Sequence, residues 1–311
     1  MHDFNINIIS TGGTKKEIEK LNIPVRSVED LTTYPSILGG RVKTLHPLIF
    51  GGILNRREIT EDQEETKKYK IPSIDLIIVD LYPFEETLAS NANHNELIEK
   101  IDIGGISLIR AAAKNYQDVL VVSSKNQYEL LINLLTDQQG STTLEQRKIF
   151  AAQAFNISSH YDTQIFNYLS NNPEQVFKKS IFNSTTLRYG ENPHQKGMFF
   201  GNFDDIFDKL GGKEISYNNL LDINAAVELI DEFEERTFAI LKHNNACGVA
   251  SRYNLTDAWE AALAGDPVSA FGGVLVTNTK VDRNTAVEIN KLFFEVIIAP
   301  AYETEAFDII K

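Results

Sequence analysis

The chain is poor in several residues that would mark common protein classes. Its 311 residues include one cysteine, one tryptophan, two methionines and nine prolines. A single cysteine, Cys247, excludes a disulfide within the chain, and no Cys/His group has zinc-site spacing, so no metal is expected. Sparse cysteine fits a reducing compartment. No run approaches the ~18 apolar residues that a spanning helix needs, and the first ten residues lack the charged-then-apolar order of a secretion signal. These absences predict a cytoplasmic protein with no membrane partner. Positive charge is scarce too: 30 Lys and Arg stand against 43 Asp and Glu, a formal charge of -13. That balance disfavours nucleic acid, yet a local basic pocket for a small phosphorylated ligand is compatible with it. Internal repeats and low-complexity tracts are absent as well.

What remains is enough for two globular cores, with 42% hydrophobic and 23% charged residues over a length that suits two domains. The stretch 39–47 concentrates chemistry: Gly39 and Gly40 precede Arg41, Lys43, Thr44 and His46, and Pro47 follows. Paired glycines let the main chain turn sharply and approach a ligand, and Arg and Lys offer a forked and a point-like contact to phosphate. Upstream, a short apolar run at 6–9 meets Ser10, Thr11, Gly12, Gly13 and Thr14 before a helical pattern at 15–21. Strand, glycine turn and helix is an arrangement that aims backbone N–H groups at an anion. Read alone, it is equally an ordinary tight turn.

Further strands are expected at 23–28, 74–81 and 119–122, the last two as near-continuous apolar runs of a parallel sheet buried on both faces. Helices are expected at 60–70, 95–100, 106–114 and 127–135, with a long one at 143–169 broken near 156–159. Arg110 and Lys114, four apart, share a helix face. Alternating strands and helices predict a doubly wound α/β domain over 1–170. Residues 171–186, with Pro173 and no clear period, read as a linker. The part from 187 to 311 opens on Leu187, Arg188, Tyr189, Gly190, Glu191, Asn192, Pro193, His194 and Gln195, too polar to serve a core. There, helices are expected at 222–233, 255–264, 282–294 and 303–310, and strands at 238–241, 274–277 and 296–299. Lys242 and His243 then fall at the C-terminal end of a strand, where open α/β sheets bind ligands.

The Ser10 to Thr14 turn, the 39–47 stretch, the Leu81, Tyr82, Pro83, Phe84 segment, Asp102 with Gly104 and Gly105, Arg110 to Asn115, the 187–195 segment, Lys242 with His243, and Ser269 to Gly272 occur together and in order. In this the chain resembles the family of purine-synthesis enzymes that join an IMP cyclohydrolase domain to an AICAR transformylase domain, along nearly its whole length. The resemblance implies an α/β chain with an N-terminal methylglyoxal synthase-like doubly wound parallel sheet, then the first part of a cytidine deaminase-like α/β transformylase domain from 187 onward. Family members ordinarily begin with a further strand and helix carrying a Ser-x-Ser-Asp-Lys turn and continue for about another domain. The chain is therefore expected to be a piece lacking both ends. Leu48 and Phe50 stand where bacterial relatives commonly have Lys and His.

By resemblance, Ser10, Gly12, Gly13, Thr14, Arg41 and Thr44 hold phosphate or orient substrate, and Lys43, Tyr82, Asp102 and Lys114 form the cyclohydrolase catalytic set. Each has a plain structural alternative: a strand-end aromatic for Tyr82, a helix cap for Asp102, a favourable C-terminal charge for Lys114. For formyl transfer from 10-formyltetrahydrofolate, the co-substrate, the resemblance implies His243 as proton acceptor and Lys242 as the stabilising cation, with Arg188, Tyr189, Asn219, Gly272 and Glu295 as substrate contacts. Imidazoles ordinarily titrate near neutrality, which suits that role. Cys247 reads as a small buried residue. A homodimer is also implied. Two other readings stay open: a nucleotide-binding allosteric module without catalysis, and an inactive assembly fragment.

Overall fold

The structure, a computed structural model, describes residues 4–170 and 176–311. Part of the expected linker, 171–175 with Pro173, lies outside the described residues, as does His2. The chain divides into two compact units, Met1–Ser180 and Ile181–Lys311.

The first unit runs β1 (Ile9–Ser10), α1 (Gly12–Lys20), β2 (Arg26–Ser27), α2 (Val28–Thr32), α3 (Pro47–Leu54), α4 (Thr60–Lys68), β3 (Leu76–Ile78), α5 (Phe84–Ala89), α6 (His94–Ile98), α7 (Gly104–Lys114), β4 (Leu120–Val122), α8 (Tyr128–Asp137) and α9 (Leu144–Leu169). Its strands form two parallel pairs, β1 with β2 and β3 with β4, the latter in register Leu76↔Leu120 through Ile78↔Val122. Alternate β4 side chains enter different cores. Val119 and Val121 join Ile109, Ala112, Ala151 and Ala154, whereas Leu120 and Val122 join Leu131, Leu134 and Phe150. Burial on both faces is what the unbroken apolar run anticipates.

Helix α9 does not break near 156–159. Ser158 and Ser159 donate back to the carbonyls of Phe155 and Asn156, which absorbs their hydroxyls within the helix. Phe150, Ala151, Ala154, Ser158 and Tyr161 then form one buried stripe at helical spacing. Helix α3 arises where no helix was expected: Pro47 occupies its first turn, and His46 caps it by accepting from the Leu48 N–H at 3.1 Å.

The second unit runs β5 (Ser184–Thr186), β6 (Met198–Phe200), α10 (Tyr217–Asp231), β7 (Thr237–Lys242), β8 (Asn245–Ser251), α11 (Leu255–Leu263), β9 (Gly273–Thr277), α12 (Arg283–Ile289), β10 (Phe294–Ile298) and α13 (Thr304–Ile310). Residues 184–186 are strand β5, paired antiparallel with β6. The main sheet has the order β10-β9-β7-β8, parallel between β10 and β9 and antiparallel elsewhere. Phe238, Ile240 and Leu275 face α11 and α12 through Trp259, Ala258 and Ala286; Ala239, Leu241, Val274 and Val276 face α10 through Ile223, Ala226 and Ile230. Helix α11 closes so tightly on β8 that a Cβ at Gly248 would lie 1.8 Å from the Ala262 carbonyl oxygen.

Candidate functional site

In the first unit, β1 delivers Ser10 to the turn that starts α1. The N-cap Thr11 makes no side-chain cap bond and the first turn carries no acid, so the N–H groups of Gly12, Gly13 and Thr14 remain open to an anion. The 39–47 loop turns back through three successive left-handed residues, Leu38, Gly39 and Gly40, with φ of 52°, 66° and 85°. That reversal brings Lys43 home: its Nζ would stand 3.5 Å from a Cβ built on Gly12 and 3.6 Å from one on Gly40. Thr44 reaches the start of α7, with its Oγ1 2.9 Å from the Cβ position of Gly104.

Asp102 lies beside the same helix start. Its Oδ1 accepts from the Gly105 N–H at 2.6 Å, and a Cβ at Gly105 would stand only 2.5 Å from its Oδ2. The Asp102 N–H donates to the Tyr161 hydroxyl at 3.0 Å, and that hydroxyl donates to the Lys100 carbonyl. Burial pushes the Tyr161 phenol up, with the Asp102 N–H opposing and the charges of Asp102 and Asp162 and the Tyr82 phenol adding to the rise. Tyr161 is a residue that sequence reasoning misses; nothing local marks a tyrosine 59 positions away in a helix as the support of this loop.

Tyr82 follows β3 and is 54% exposed. Arg41 points to Glu99, whose carboxylate accepts from its Nη2 and raises the guanidinium pKa further. Both members of that pair are well exposed. Lys114 is placed apart: ten residues after Gly104 on α7, it lies roughly 15 Å along the axis. There it lines a groove of about 660 Å³ with Arg110, Lys148, Phe50 and Phe155. Lys43 thus stands beside Gly12 and Gly40, Thr44 and Asp102 share the start of α7, Arg41 is engaged by Glu99, and Lys114 lies at the other end of α7.

In the second unit Lys242 and His243 do fall at the end of strand β7, where the chain turns back as a hairpin into β8. Lys242 pairs with Asn245, and the turn between them consists of His243 and Asn244, with φ of 55° and 63°. The pairing runs on through Leu241↔Ala246, skips Cys247 at a bulge and resumes at Ile240↔Gly248, so that β7 imposes strand structure on a stretch with little β-propensity. Lys242 Nζ donates to the Phe271 carbonyl at 2.7 Å, and the next residue, Gly272, is left-handed and donates to the Phe293 carbonyl at 2.8 Å.

Helix α10 collects the remaining residues. Asn219 accepts from the Ser216 N–H and Oγ while donating to Glu295 Oε2 at 2.6 Å, so the two are bonded to each other. The main chain of Arg188 and Tyr189 bonds to Ile215 and Tyr217, and the Arg188 guanidinium lies 4.8 Å over the Tyr189 ring while donating to its hydroxyl. Cys247 is half-buried, and burial pushes its thiol up, away from nucleophilic use. Among the described residues no group of three or more His, Cys, Asp or Glu converges to hold a metal, and no helix is long and apolar enough to cross a membrane.

Comparison with known proteins agrees with both halves. An MGS-like domain profile matches residues 1–107, and the AICARFT/IMPCHase bienzyme profile matches residues 112–311. The chain is 61% identical over 310 residues to the bifunctional purine biosynthesis protein PurH of Bacteroides thetaiotaomicron, covering 100% of this chain and 61% of that protein. It is 46% identical over 313 residues to PurH of Rhodospirillum rubrum, covering 98% and 60%. The chain therefore spans about three fifths of the length of these curated relatives. A crystal structure of ForH aligns with a TM-score of 0.46 and 32% identity, over 52% of this chain and 84% of that one. Since the bienzyme profile takes in more than half of the sequence and the MGS-like profile most of what precedes it, this chain belongs to the AICARFT/IMPCHase bienzyme family.

Proposed function

We propose that the chain carries out the last two steps of purine nucleotide synthesis, with a cyclohydrolase domain over 1–170, a connection over 171–186 whose last three residues are strand β5 of the second unit, and the first part of a transformylase domain over 187–311. In ring closure, the carboxamide nitrogen of formyl-AICAR attacks the formyl carbon of the same molecule. The formyl oxygen leaves as water with one proton from the carboxamide nitrogen and one from the formamido nitrogen. Because the reacting atoms are already tethered, the protein has to hold one rotamer, stabilise the oxyanion and move those protons. Ser10, Gly12, Gly13, Thr14, Arg41 and Thr44 take the phosphate and orient the ring. Lys43 faces the oxyanion, and Asp102 and Tyr82 exchange protons. Lys114, ten residues along α7 from Gly104, belongs to the family's set without lying beside Lys43.

In the preceding step, the AICAR amine attacks the formyl carbon of 10-formyltetrahydrofolate. The bond to the folate N10 breaks; the amine gives up a proton to His243, and N10 gains one. Lys242 stabilises the developing negative charge, with Arg188 and Tyr189 on the nucleotide and Asn219, Gly272 and Glu295 bordering the site. A homodimer in the cytoplasm completes this reading.

The observation that carries it is the position of the Lys43 ammonium, between the open first turn of α1 and the paired-glycine loop, with Thr44 and Asp102 at the start of α7. The experiment is ring closure of formyl-AICAR by the purified chain, followed in the ultraviolet without folate, beside Lys43→Ala. Closure by the parent and a loss of about a hundredfold or more in the variant is expected. A folded parent that closes no ring, or a variant that keeps its rate, would sink the assignment.

A further inference from the structure

The turn between β7 and β8 is held from outside the sheet. His243 and Asn244 are both left-handed, a pattern that two-residue hairpins reserve for Asn, Asp and Gly and that histidine adopts at a cost. The ladder ends at the Lys242↔Asn245 pair, so it leaves the Asn244 N–H without a strand partner. That N–H donates to Asp222 Oδ1 at 2.7 Å, while the His243 carbonyl accepts from Asn245 Nδ2 at 2.7 Å. Asp222 is half-buried on α10, three residues after Asn219 and on the same side of the helix. The start of α10 is bonded to the main chain of Tyr189, and Asn219 to Glu295. One helix therefore sets both the segment that carries Arg188 and Tyr189 and, through a single carboxylate, the turn that carries His243.

We propose that Asp222 is a positioning residue for formyl transfer: its carboxylate fixes the His243–Asn244 turn, and so places His243 at a set distance from the nucleotide-binding segment. This rests on the transformylase reading given above. Asp222 need not touch substrate. A charged acceptor on a backbone N–H is among the stronger hydrogen bonds, and its removal frees a turn in which His243 already holds a disfavoured conformation.

The test labels the parent, Asp222→Ala, Asp222→Asn and the double variant Asp222→Ala/Asn244→Gly with ¹⁵N-histidine and ¹⁵N-asparagine. Order parameters at the His243 and Asn244 positions are read first, without ligand. The His243 ring signal is then followed during titration with AICAR. In Asp222→Ala the order parameter is expected to fall from about 0.85 to below about 0.6, and the AICAR-induced change at the His243 ring to disappear at an unchanged Kd. Asp222→Asn keeps an acceptor oxygen and retains both signals. Glycine at 244 takes the left-handed conformation without strain and, read at the His243 amide, which keeps its label, supplies the folded comparison if the alanine variant is unstable. A turn that stays rigid in Asp222→Ala overturns the proposal whatever the ligand does, and so does an unchanged ring response. Failure of AICAR to bind the parent sinks the transformylase reading instead.

Discussion

Replacing Tyr161 with phenylalanine removes one oxygen and leaves the rest of the side chain in place. The ring is 7% exposed and packs edge-on against Phe84 at 6.2 Å between centroids, a contact phenylalanine preserves. What is lost is the bridge from the Asp102 N–H to the Lys100 carbonyl. Two backbone groups in a half-buried loop then lack partners, at about 1 kcal/mol each, or about 2 kcal/mol in all. For a unit of this size that lowers the melting temperature by roughly 4 to 8 °C. Asp102 is held at its amide by Tyr161 and at its carboxylate by the Gly105 N–H, so the variant frees one of two anchors. On the cyclohydrolase reading proposed above, a displacement approaching 1 Å is expected to cost ring closure between about tenfold and a hundredfold. Calorimetry and the ultraviolet ring-closure assay read the two effects separately. A variant that melts within 1 °C of the parent, by order of magnitude, and closes the ring at the parent rate would refute Tyr161 as the support of Asp102.

Gly248→Ala places a methyl carbon 1.8 Å from the Ala262 carbonyl oxygen, a backbone atom that moves only with the end of α11; a loss of about 3 kcal/mol is expected in denaturant unfolding, and an unchanged midpoint would contradict the close approach. Burial pushes the Tyr302 phenol up to about 12. Its folded pKa therefore lies above the ordinary value of about 10, so the stability it contributes is complete below pH 10 and is lost as pH rises through 12. Tyr302→Phe should flatten that part of the alkaline stability curve by up to about 3 kcal/mol; a curve of unchanged steepness would count against the burial.

Residues differ in how far their neighbours could be read from the chain alone. The run ending at Val122 could be read as a fully buried strand because both faces of β4 meet apolar cores, leaving no alternation. Helix α3 could not, since its sequence, with Gly51 and Gly52 in an apolar run, resembles a strand and a turn; it is defined by Pro47 and by the His46 cap. The expected helix at 282–294 stops at Ile289, and the chain returns to lay Phe294, the start of β10, beside Gly273 of β9. At the sites, Lys43, Asp102, Lys242 and His243 stand out by residue type, motif order and family resemblance. The neighbours that hold Asp102, Arg41 and the His243–Asn244 turn do not: Tyr161, Glu99 and Asp222 make contacts with groups 59, 58 and 22 residues away, which no local spacing encodes.

Helix α10 gives the second unit a property that no single contact has. Within two turns it engages the Tyr189 main chain, Glu295 through Asn219, and the hairpin through Asp222. Substitutions at these three attachments share one rigid lever, so their free energies should not sum. A small tilt of the helix would be felt by all three at once, and compensation for a change at one attachment should be found at another attachment on the helix rather than beside the altered residue.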